Sequence, residues 1–386
     1  MNKILRFPQS FLWGSATSAY QVEGGIENCD LSEIYPAEKA GNHYYLYEKD
    51  FDLLKSLNQN AYRFSIEWSR IEPEENKFNQ KEIEHYRKVL LNLKEKNIKT
   101  MVTLHHFTNP WWLAKIGGWE NKRVVFYFSR FAERIFNKYQ DLVDFWITIN
   151  EPQIYNLASH LEKKWPPQKR IFFPFLKVLK NQISAHKKIY QIFHKLNQDV
   201  KVGNAENYYF LKPDNPESLL DRFSTKLACY FWNEFYLNRI KKYLDFIGVN
   251  YYRHFKIKFP FSKIEEKKNS SDIGWGIYPQ GIYQVLKELK KYNLPIYITE
   301  NGLADAKDKL RKDFIKNHLY WVWRAIEEGI DVRGYFHWSL LDNFEWDKGF
   351  EPRFGLIEID YKTMERKIRP SANYYSQISK NNGFNF

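Results

Sequence analysis

The sequence predicts an α/β protein, a single (β/α)₈ barrel. Short segments of β-type composition recur almost from end to end, and helix-like segments such as 176–197 lie between them. Strands that are apolar on both faces and alternate with helices form a parallel sheet covered by helices. Eight such units favour a closed barrel with right-handed crossovers. The predicted strands are 12–17, 61–68, 100–106, 144–151, 201–210, 245–252, 295–302 and 332–341.

An open, doubly wound sheet is the alternative. Such a sheet usually carries a glycine-rich phosphate-binding turn after its first strand. Here the first strand runs into SAYQVEGG, and Gly24-Gly25 lacks the spacing of that turn. No linker, low-complexity tract or repeat divides the sequence. We therefore expect one domain over residues 1–386.

The composition is that of a globular intracellular protein. The chain has 386 residues and is 44% hydrophobic and 18% aromatic, which is enough for a large core. Its two cysteines, Cys29 and Cys229, are far apart and lack metal-like spacing, so we expect no disulfide or zinc site and a reducing compartment. The N-terminus shows no signal-peptide pattern, and no apolar run approaches the ~20 residues that span a membrane. We expect a cytoplasmic protein without a membrane partner, metal or cofactor.

The formal charge of +13 has two interpretations. One is a nucleic-acid or other anionic partner, and the other is a lysine-rich solvated surface. The lysines are spread over many segments, and no nucleic-acid motif accompanies them. The densest cluster, 256–268, also contains Glu265 and Glu266 and is predicted to be a loop. We therefore expect no nucleic-acid partner.

Polar and aromatic side chains follow most of the predicted strands. In a barrel of this kind the carboxyl ends of the strands converge on one face, where the active site lies. Each of these residues interrupts an otherwise apolar strand or follows it within a few residues, and Arg63 lies nearer the middle of its strand. The candidates are Gln21, Arg63, His106, Phe107, Asn150, Glu151, Asn250, Tyr252, Glu300, Trp338, Glu345 and Trp346.

Two glutamates end apolar strands that are far apart in the sequence. Glu151 lies in WITINEP and Glu300 in YITENG. Glutamates are rarely buried without partners, so two of them over one barrel mouth indicate glycoside hydrolysis, with one as acid/base and the other as nucleophile or base. Amide side chains suit sugar hydroxyls, and tryptophan faces suit the apolar face of a pyranose ring.

The sequence resembles glycoside hydrolase family 1, the retaining β-glucosidases and β-galactosidases with a TIM-barrel fold. The resemblance covers nearly the whole chain in order and is strongest where TINEP and ITENG occur together. It is carried by FLWGSATSAYQVEGG, YRFSIEWSRI, VTLHHFTNP, TINEP, GVNYY, YITENG, WSLLDNFEW and RFGL.

The resemblance implies a role for each candidate. Glu151 is then the general acid/base and Glu300 the nucleophile. The supporting residues are Asn150 at the sugar's 2-hydroxyl, Arg63 and Tyr252 beside Glu300, and Asn250. The residues expected to bind the non-reducing sugar are Gln21, His106, Trp338, Glu345 and Trp346, and Trp275 is expected on the leaving-group side.

The resemblance also implies that the two glutamates differ in pKa. The two carboxyl groups of a retaining enzyme lie only about 5–5.5 Å apart. Ionised Glu300 is therefore expected to raise the pKa of Glu151, while Arg63 keeps Glu300 ionised. A bell-shaped pH profile follows.

Three departures from the family pattern lie on the leaving-group side or the barrel periphery. The chain is shortened at about 211–244, Gly276 replaces a common Glu, and WPPQ at 165–168 lacks the common final Gly. A wider cleft is the hypothesis that follows. The Glu345-Trp346 pair argues against the 6-phospho-sugar branch, because a carboxylate repels phosphate.

The function expected from the sequence is a retaining β-glycosidase acting on small-molecule β-glycosides or oligosaccharides. β-Glucosides are the first choice of substrate, with β-galactosides or β-fucosides as alternatives. Transglycosylation on the same intermediate, and an inactive carbohydrate-binding homologue, are the other functions considered. The oligomeric state is left open.

Overall fold

The computed structural model describes residues 4–266 and 269–386, and its centre is a closed barrel of eight parallel strands. The eight predicted strands are all present, so the predicted fold class is confirmed. Each strand pairs with its neighbours in chain order, and the last, β8, pairs with the first, β1. The strands are β1 (Leu12–Ala16), β2 (Ala61–Ser65), β3 (Lys99–His105), β4 (Phe145–Asn150), β5 (Val202–Asn207), β6 (Phe246–Asn250), β7 (Ile296–Asn301) and β8 (Val332–Trp338).

The inside of the barrel is filled by a cluster of small and aromatic side chains. Ala61, Met101, Ile147 and Phe246 belong to it and are buried. Gly203 is required here, because a Cβ at this position would lie 2.5 Å from the Phe246 ring. The barrel interior is therefore a packed core.

Helices connect successive strands and cover the outside of the barrel. Helix Val124–Tyr139, for example, buries nine of its residues, including Phe128, Phe131 and Phe136. This apolar face packs on the sheet, as expected for an amphipathic helix. The helices of eight or more residues are His43–Ser56, Gln80–Glu95, Val124–Tyr139, Pro152–His160, Phe172–Leu196, Leu219–Cys229, Gln280–Leu289, Arg311–Glu327 and Pro370–Asn381.

A three-stranded sheet lies beside the barrel mouth. Its strands are Phe210–Pro213, His254–Lys258 and Ser262–Ile264, with the middle strand in contact with both others. The first begins three residues after β5 ends and the second four residues after β6 ends, which fixes the sheet at the carboxyl end of the barrel. The predicted strand 201–210 is thus two strands in two sheets.

The prediction of a loop at 256–268 is wrong for most of that segment. Residues 254–264 form a hairpin, and only Lys267 and Lys268 lie outside the described residues. The hairpin forms because its first strand pairs with Phe210–Pro213, a long-range contact that outweighs the loop-like charged composition.

The helix-like segment at 215–243 is a helix with one wide turn. Helix Leu219–Cys229 passes into a π-helical turn, Tyr230–Glu234, and then into helix Phe235–Ile240. The wide turn places Asn233 against the backbone of Tyr209, where its side chain accepts from the N–H at 3.2 Å and donates to the C=O at 2.9 Å. None of the helices within the described residues is long and apolar enough to cross a membrane.

Candidate active site

The residues singled out in the sequence meet at the carboxyl end of the barrel. Eleven of the thirteen line one cavity of about 240 Å³, and the other two, Arg63 and Asn250, lie buried beneath it and bond to its glutamates. The eleven lining residues are Gln21, His106, Phe107, Asn150, Glu151, Tyr252, Trp275, Glu300, Trp338, Glu345 and Trp346.

The abrupt end of strand β4 determines the position of Glu151. Asn150 is the last strand residue, Glu151 adopts a left-handed conformation with φ +43°, and Pro152 is the first residue of the next helix. Proline suits that first helical position because it has no N–H to satisfy. A left-handed non-glycine residue is uncommon, and such backbone outliers cluster at functional sites. The break turns the Glu151 side chain into the cavity.

Within residues 4–266 and 269–386, the hydrogen-bond partners of Glu151 are amide groups. Its Oε1 accepts from Asn250 Nδ2 at 2.9 Å and from Asn207 Nδ2 at 3.0 Å. Burial, and to a smaller extent the negative charge of Glu300, raises the pKa of Glu151 to about 8. The expected influence of Glu300 is therefore present, but burial is the larger cause.

Glu300, at the end of β7, has charged and hydroxyl partners instead. Arg63 Nη1 lies 2.6 Å from Oε1, and the Tyr252 hydroxyl donates to Oε2 at 2.7 Å. Burial raises the pKa of Glu300, and Arg63 and Tyr252 both act to lower it. The two glutamates therefore differ: a cation supports the charge of Glu300, whereas the donors to Glu151 in the described part of the chain are neutral.

Asn150 connects the two carboxyl groups. Its Oδ1 accepts from Arg63 Nη2 at 2.6 Å and from Asn250 Nδ2 at 3.1 Å. Its Nδ2 lies 3.3 Å from His106 Nε2. Burial lowers the pKa of His106 well below its usual value, so the ring is neutral and accepts this bond. His106 lines the cavity, whereas His105 is bonded to Asn109 and Trp119 behind it.

The inner wall of the cavity is aromatic with one acid. The rings of Trp338 and Trp346 each lie nearly parallel to that of His106, with centroids 5.9 and 6.0 Å away. Glu345 Oε2 accepts from Asn343 Nδ2 at 2.8 Å and from Gln21 Nε2 at 3.2 Å. Burial raises the pKa of Glu345 to about 7.

Trp275 lines the cavity on the side of β6 and lies edge-on to Tyr252, with centroids 5.7 Å apart. Gly276 follows it, and a Cβ there would lie 2.3 Å from the backbone oxygen of Glu266. The backbone just after the hairpin therefore leaves no room at this position for the side chain that the family pattern has there.

The sequence interpretation missed Asn207, which donates to Glu151. Asn207 ends β5 as Asn250 ends β6, so the rule that polar residues follow barrel strands applies to it as well. The predicted strand ran on to residue 210 and hid that end. The outer rim also contains residues that were not predicted: Ile154, Leu157, Ala158, Glu162, Lys164, Trp165, Tyr209, Arg253, Asp347, Lys348 and Phe354.

Among residues 4–266 and 269–386, no group of three or more His, Cys, Asp or Glu side chains is arranged to hold a metal ion. The site instead contains two buried carboxyl groups in different environments. Enzymes use such pairs for acid/base catalysis, because the two environments give the groups different pKa values. A closed (β/α)₈ barrel with such a pair and aromatic walls at its mouth defines the class of glycoside hydrolases.

Comparison with known proteins agrees with this class. A family model described as glycosyl hydrolase family 1 matches residues 4–242 and 237–384. β-Glucosidase A of Thermotoga maritima is 32% identical over 448 aligned positions, covering 98% of this chain and 99% of the relative. A β-galactosidase of Pyrococcus woesei is 31% identical over 498 positions, covering 98% of each. The solved structure of a β-glycosidase from Pyrococcus horikoshii has a TM-score of 0.94 and 38% identity, covering 100% of this chain and 97% of that one.

The chain belongs to glycosyl hydrolase family 1 and is a glycoside hydrolase. The alignments with the two curated relatives are longer than the 386 residues of the chain, so these relatives carry residues that the chain lacks. The two segments matched by the family model meet at 237–242, inside the region that we expect to be shortened. The position of the missing residues stays a prediction.

Proposed function

We propose that the protein is a retaining β-glycosidase that releases the non-reducing-end sugar of small β-glycosides, β-glucosides first. The observation that carries the proposal is the unequal environment of two buried glutamates in one cavity. Glu300 bonds to Arg63 and Tyr252, and Glu151 bonds to two amides. One group is thereby suited to hold a negative charge and the other to hold a proton.

The first step breaks the glycosidic bond. The Glu300 carboxylate attacks the anomeric carbon, and the bond from that carbon to the leaving oxygen breaks. Glu151 gives its proton to the leaving oxygen, so that a neutral alcohol departs. Oε1 of Glu151 already accepts two N–H groups, and we assign the transferable proton to Oε2.

The second step returns the enzyme to its starting state. Once Glu300 carries the sugar its negative charge is gone, and the contribution of that charge to the pKa of Glu151 disappears. Glu151, now ionised, takes a proton from water as the water attacks the anomeric carbon. The bond from that carbon to Glu300 breaks, so the sugar is released and Glu300 is a carboxylate again. Two inversions at one carbon give retention of configuration.

The remaining residues bind the sugar. We assign its hydroxyl groups to Gln21, His106, Asn150 and Glu345, and its apolar face to Trp338. We assign Trp346 to the same pocket, Asn250 to orienting Glu151, and Trp275 to the leaving-group side. No cofactor enters the reaction. The names of the curated relatives support both glucosides and galactosides as substrates.

We also propose that the whole chain is one domain and that it acts in the cytoplasm. The unbonded cysteines Cys29 and Cys229 support a reducing compartment.

A panel of chromogenic β- and α-glycosides, run with the parent protein and Glu300→Gln, tests the proposed activity. Hydrolysis of β-glucosides that is abolished in Glu300→Gln supports it. Hydrolysis of α-glycosides alone, sugar binding without turnover, or an undiminished rate in Glu300→Gln contradicts it. Product analysis in the presence of an added alcohol separates hydrolysis from transglycosylation.

A further inference from the structure

Exposed apolar side chains are concentrated near the barrel mouth. Among residues 4–266 and 269–386, twelve of the twenty large apolar side chains that are exposed lie in the segments 171–176, 219–231 and 259–264. Scattered exposed apolar residues are normal, but a cluster of them marks an interaction site. Some residues of this cluster lie on helix Leu219–Cys229 and on the hairpin turn at 259–261. Their arrangement indicates the kind of partner that binds there.

Helix Leu219–Cys229 has apolar residues on its outer side. Its inner residues Asp221, Ser224 and Thr225 are buried against the three-stranded sheet, whereas Leu219 is 76% exposed and Phe223 57% exposed. An ordinary surface helix has the opposite pattern, with apolar residues inside and polar residues outside.

The hairpin turn continues this surface. The backbone N–H of Phe259 donates to Asp221 Oδ1 at 2.9 Å, which holds the turn against the start of the helix. Phe259 and Phe261 at the turn are 48% and 56% exposed. We call the set the apolar surface, and it consists of Leu219, Leu220, Phe223, Phe231, Phe259 and Phe261.

Basic residues are interspersed with the apolar surface. Arg222 and Lys226 lie on the same helix and Lys258 beside the turn, and all three are exposed. Within the described part of the chain, none of the three forms an ion pair. Phenylalanine and leucine mixed with lysine and arginine are the composition of surfaces that lie in the headgroup region of a membrane.

The net charge distinguishes the possible partners. Two copies of a chain with a formal charge of +13 repel each other, whereas an anionic lipid surface attracts each of them. We propose that the apolar surface docks on an anionic lipid bilayer and brings the barrel mouth to the level of the lipid headgroups. The sequence predicted no membrane partner, because the outward position of these side chains is visible only in the folded protein.

Vesicle sedimentation tests the proposal on the full chain and is independent of the proposed activity. The probes are vesicles of phosphatidylcholine alone and of phosphatidylcholine mixed with phosphatidylglycerol. We expect sedimentation with the mixed vesicles, weakened by salt. The double variant Phe223→Ser, Phe261→Ser should lose it, and Arg222→Glu, Lys226→Glu should weaken it by about fivefold for each charge or more.

Matched controls lie elsewhere on the surface. Phe126→Ser removes a 55% exposed phenylalanine, and Lys81→Glu, Lys88→Glu reverses two exposed charges on another helix. Both controls should sediment like the parent, and all variants should keep the parent's melting temperature. The proposal is overturned if the parent does not sediment, if the controls lose as much as the test variants, or if light scattering shows a dimer that Phe223→Ser, Phe261→Ser dissociates.

Discussion

Arg63 Nη1 lies 2.6 Å from Glu300 Oε1, and both side chains are almost completely buried. The second arm of the same guanidinium bonds to Asn150, the residue before Glu151, so one cation reaches the ends of both β4 and β7. A buried carboxyl group next to a cation stays ionised more easily than one without. In the mechanism that we propose, this relationship suits Glu300 to be the nucleophile and Glu151 to be the acid of the first step.

Removing the proton donor should affect poor leaving groups most. We expect Glu151→Gln to lower kcat/KM by about 10²–10⁴-fold for alkyl glucosides, whose leaving oxygen needs a proton. A dinitrophenyl glucoside leaves without protonation, so the first step with this substrate should be nearly unchanged. Equal losses for both substrates would contradict the role of Glu151.

The pH dependence of activity should follow Glu151 on its basic side. Because the pKa of Glu151 is raised to about 8, the acid stays protonated at neutral pH and kcat/KM should fall as pH rises through that value. The fall at low pH reports protonation of Glu300. A rate that is flat from about pH 4 to 9 would exclude this pair as acid and nucleophile.

Asn207→Ala should shift the pH at which kcat/KM falls on the basic side of the pH profile. Asn207 donates to Glu151 Oε1, a bond that lowers the pKa of this carboxyl, so its loss should shift the fall in kcat/KM to higher pH. Loss of a hydrogen bond to a carboxylate is worth about 1.5–3 kcal/mol, or about 1–2 pH units at most. The acidic side should not move, since Asn207 does not contact Glu300; a shift of both sides would contradict the assignment.

Tyr252→Phe should act on the acidic side instead. The hydroxyl donates to Glu300 Oε2 and lowers the pKa of that carboxyl, so the variant should lose activity at a higher pH than the parent as the solution is acidified. We expect kcat to fall about tenfold or more, and Arg63→Lys to show a larger effect in the same direction. A thermal melt of each variant separates this effect from unfolding.

The buried acids should also make folding stability depend on pH. The folded state holds the proton of Glu151 up to about pH 8, whereas the ordinary pKa of a Glu side chain is 4.5. The protonated Glu151 therefore stabilises the folded state fully below pH 4.5, and this stabilisation is lost as pH rises through about 8. Glu151→Gln should therefore melt at a higher temperature than the parent at pH 8 and show a smaller decline between pH 5 and 8. If Glu151→Gln and the parent have the same melting temperature at pH 5 and again at pH 8, this prediction is contradicted.

The sequence predicted the framework well because buried parallel strands are apolar throughout. Glu151 and Glu300 were found for the same reason, since a carboxyl group at the tip of such a strand is conspicuous. Asn207 was missed because β5 and the strand Phe210–Pro213 form one continuous β-type segment in the sequence. The dominant contribution of burial to the pKa of Glu151, and the outward position of Leu219 and Phe223, depend on packing and cannot be read from residue types alone.

The choice between plain and phosphorylated sugars should depend on Glu345. This buried carboxyl lies on the inner wall of the cavity, bonded to Gln21 and Asn343. Because burial raises the pKa of Glu345 to about 7, this carboxyl carries its negative charge above that pH. The charge repels a 6-phosphate, so above that pH kcat/KM should be higher for a β-glucoside than for its 6-phosphate. The reverse preference in a direct comparison of the two substrates would refute this.

The central claim is that Glu300 forms a covalent bond to the sugar, and trapping tests it most directly. A 2-deoxy-2-fluoro-β-glucoside with a dinitrophenyl leaving group should inactivate the enzyme, because the fluorine slows the second step more than the activated leaving group slows the first. Mass spectrometry of the digested protein should then place the fluorosugar on the peptide that contains Glu300. A label on any other residue, or no label together with an α-anomer as the first hydrolysis product of a β-glucoside, would contradict the account.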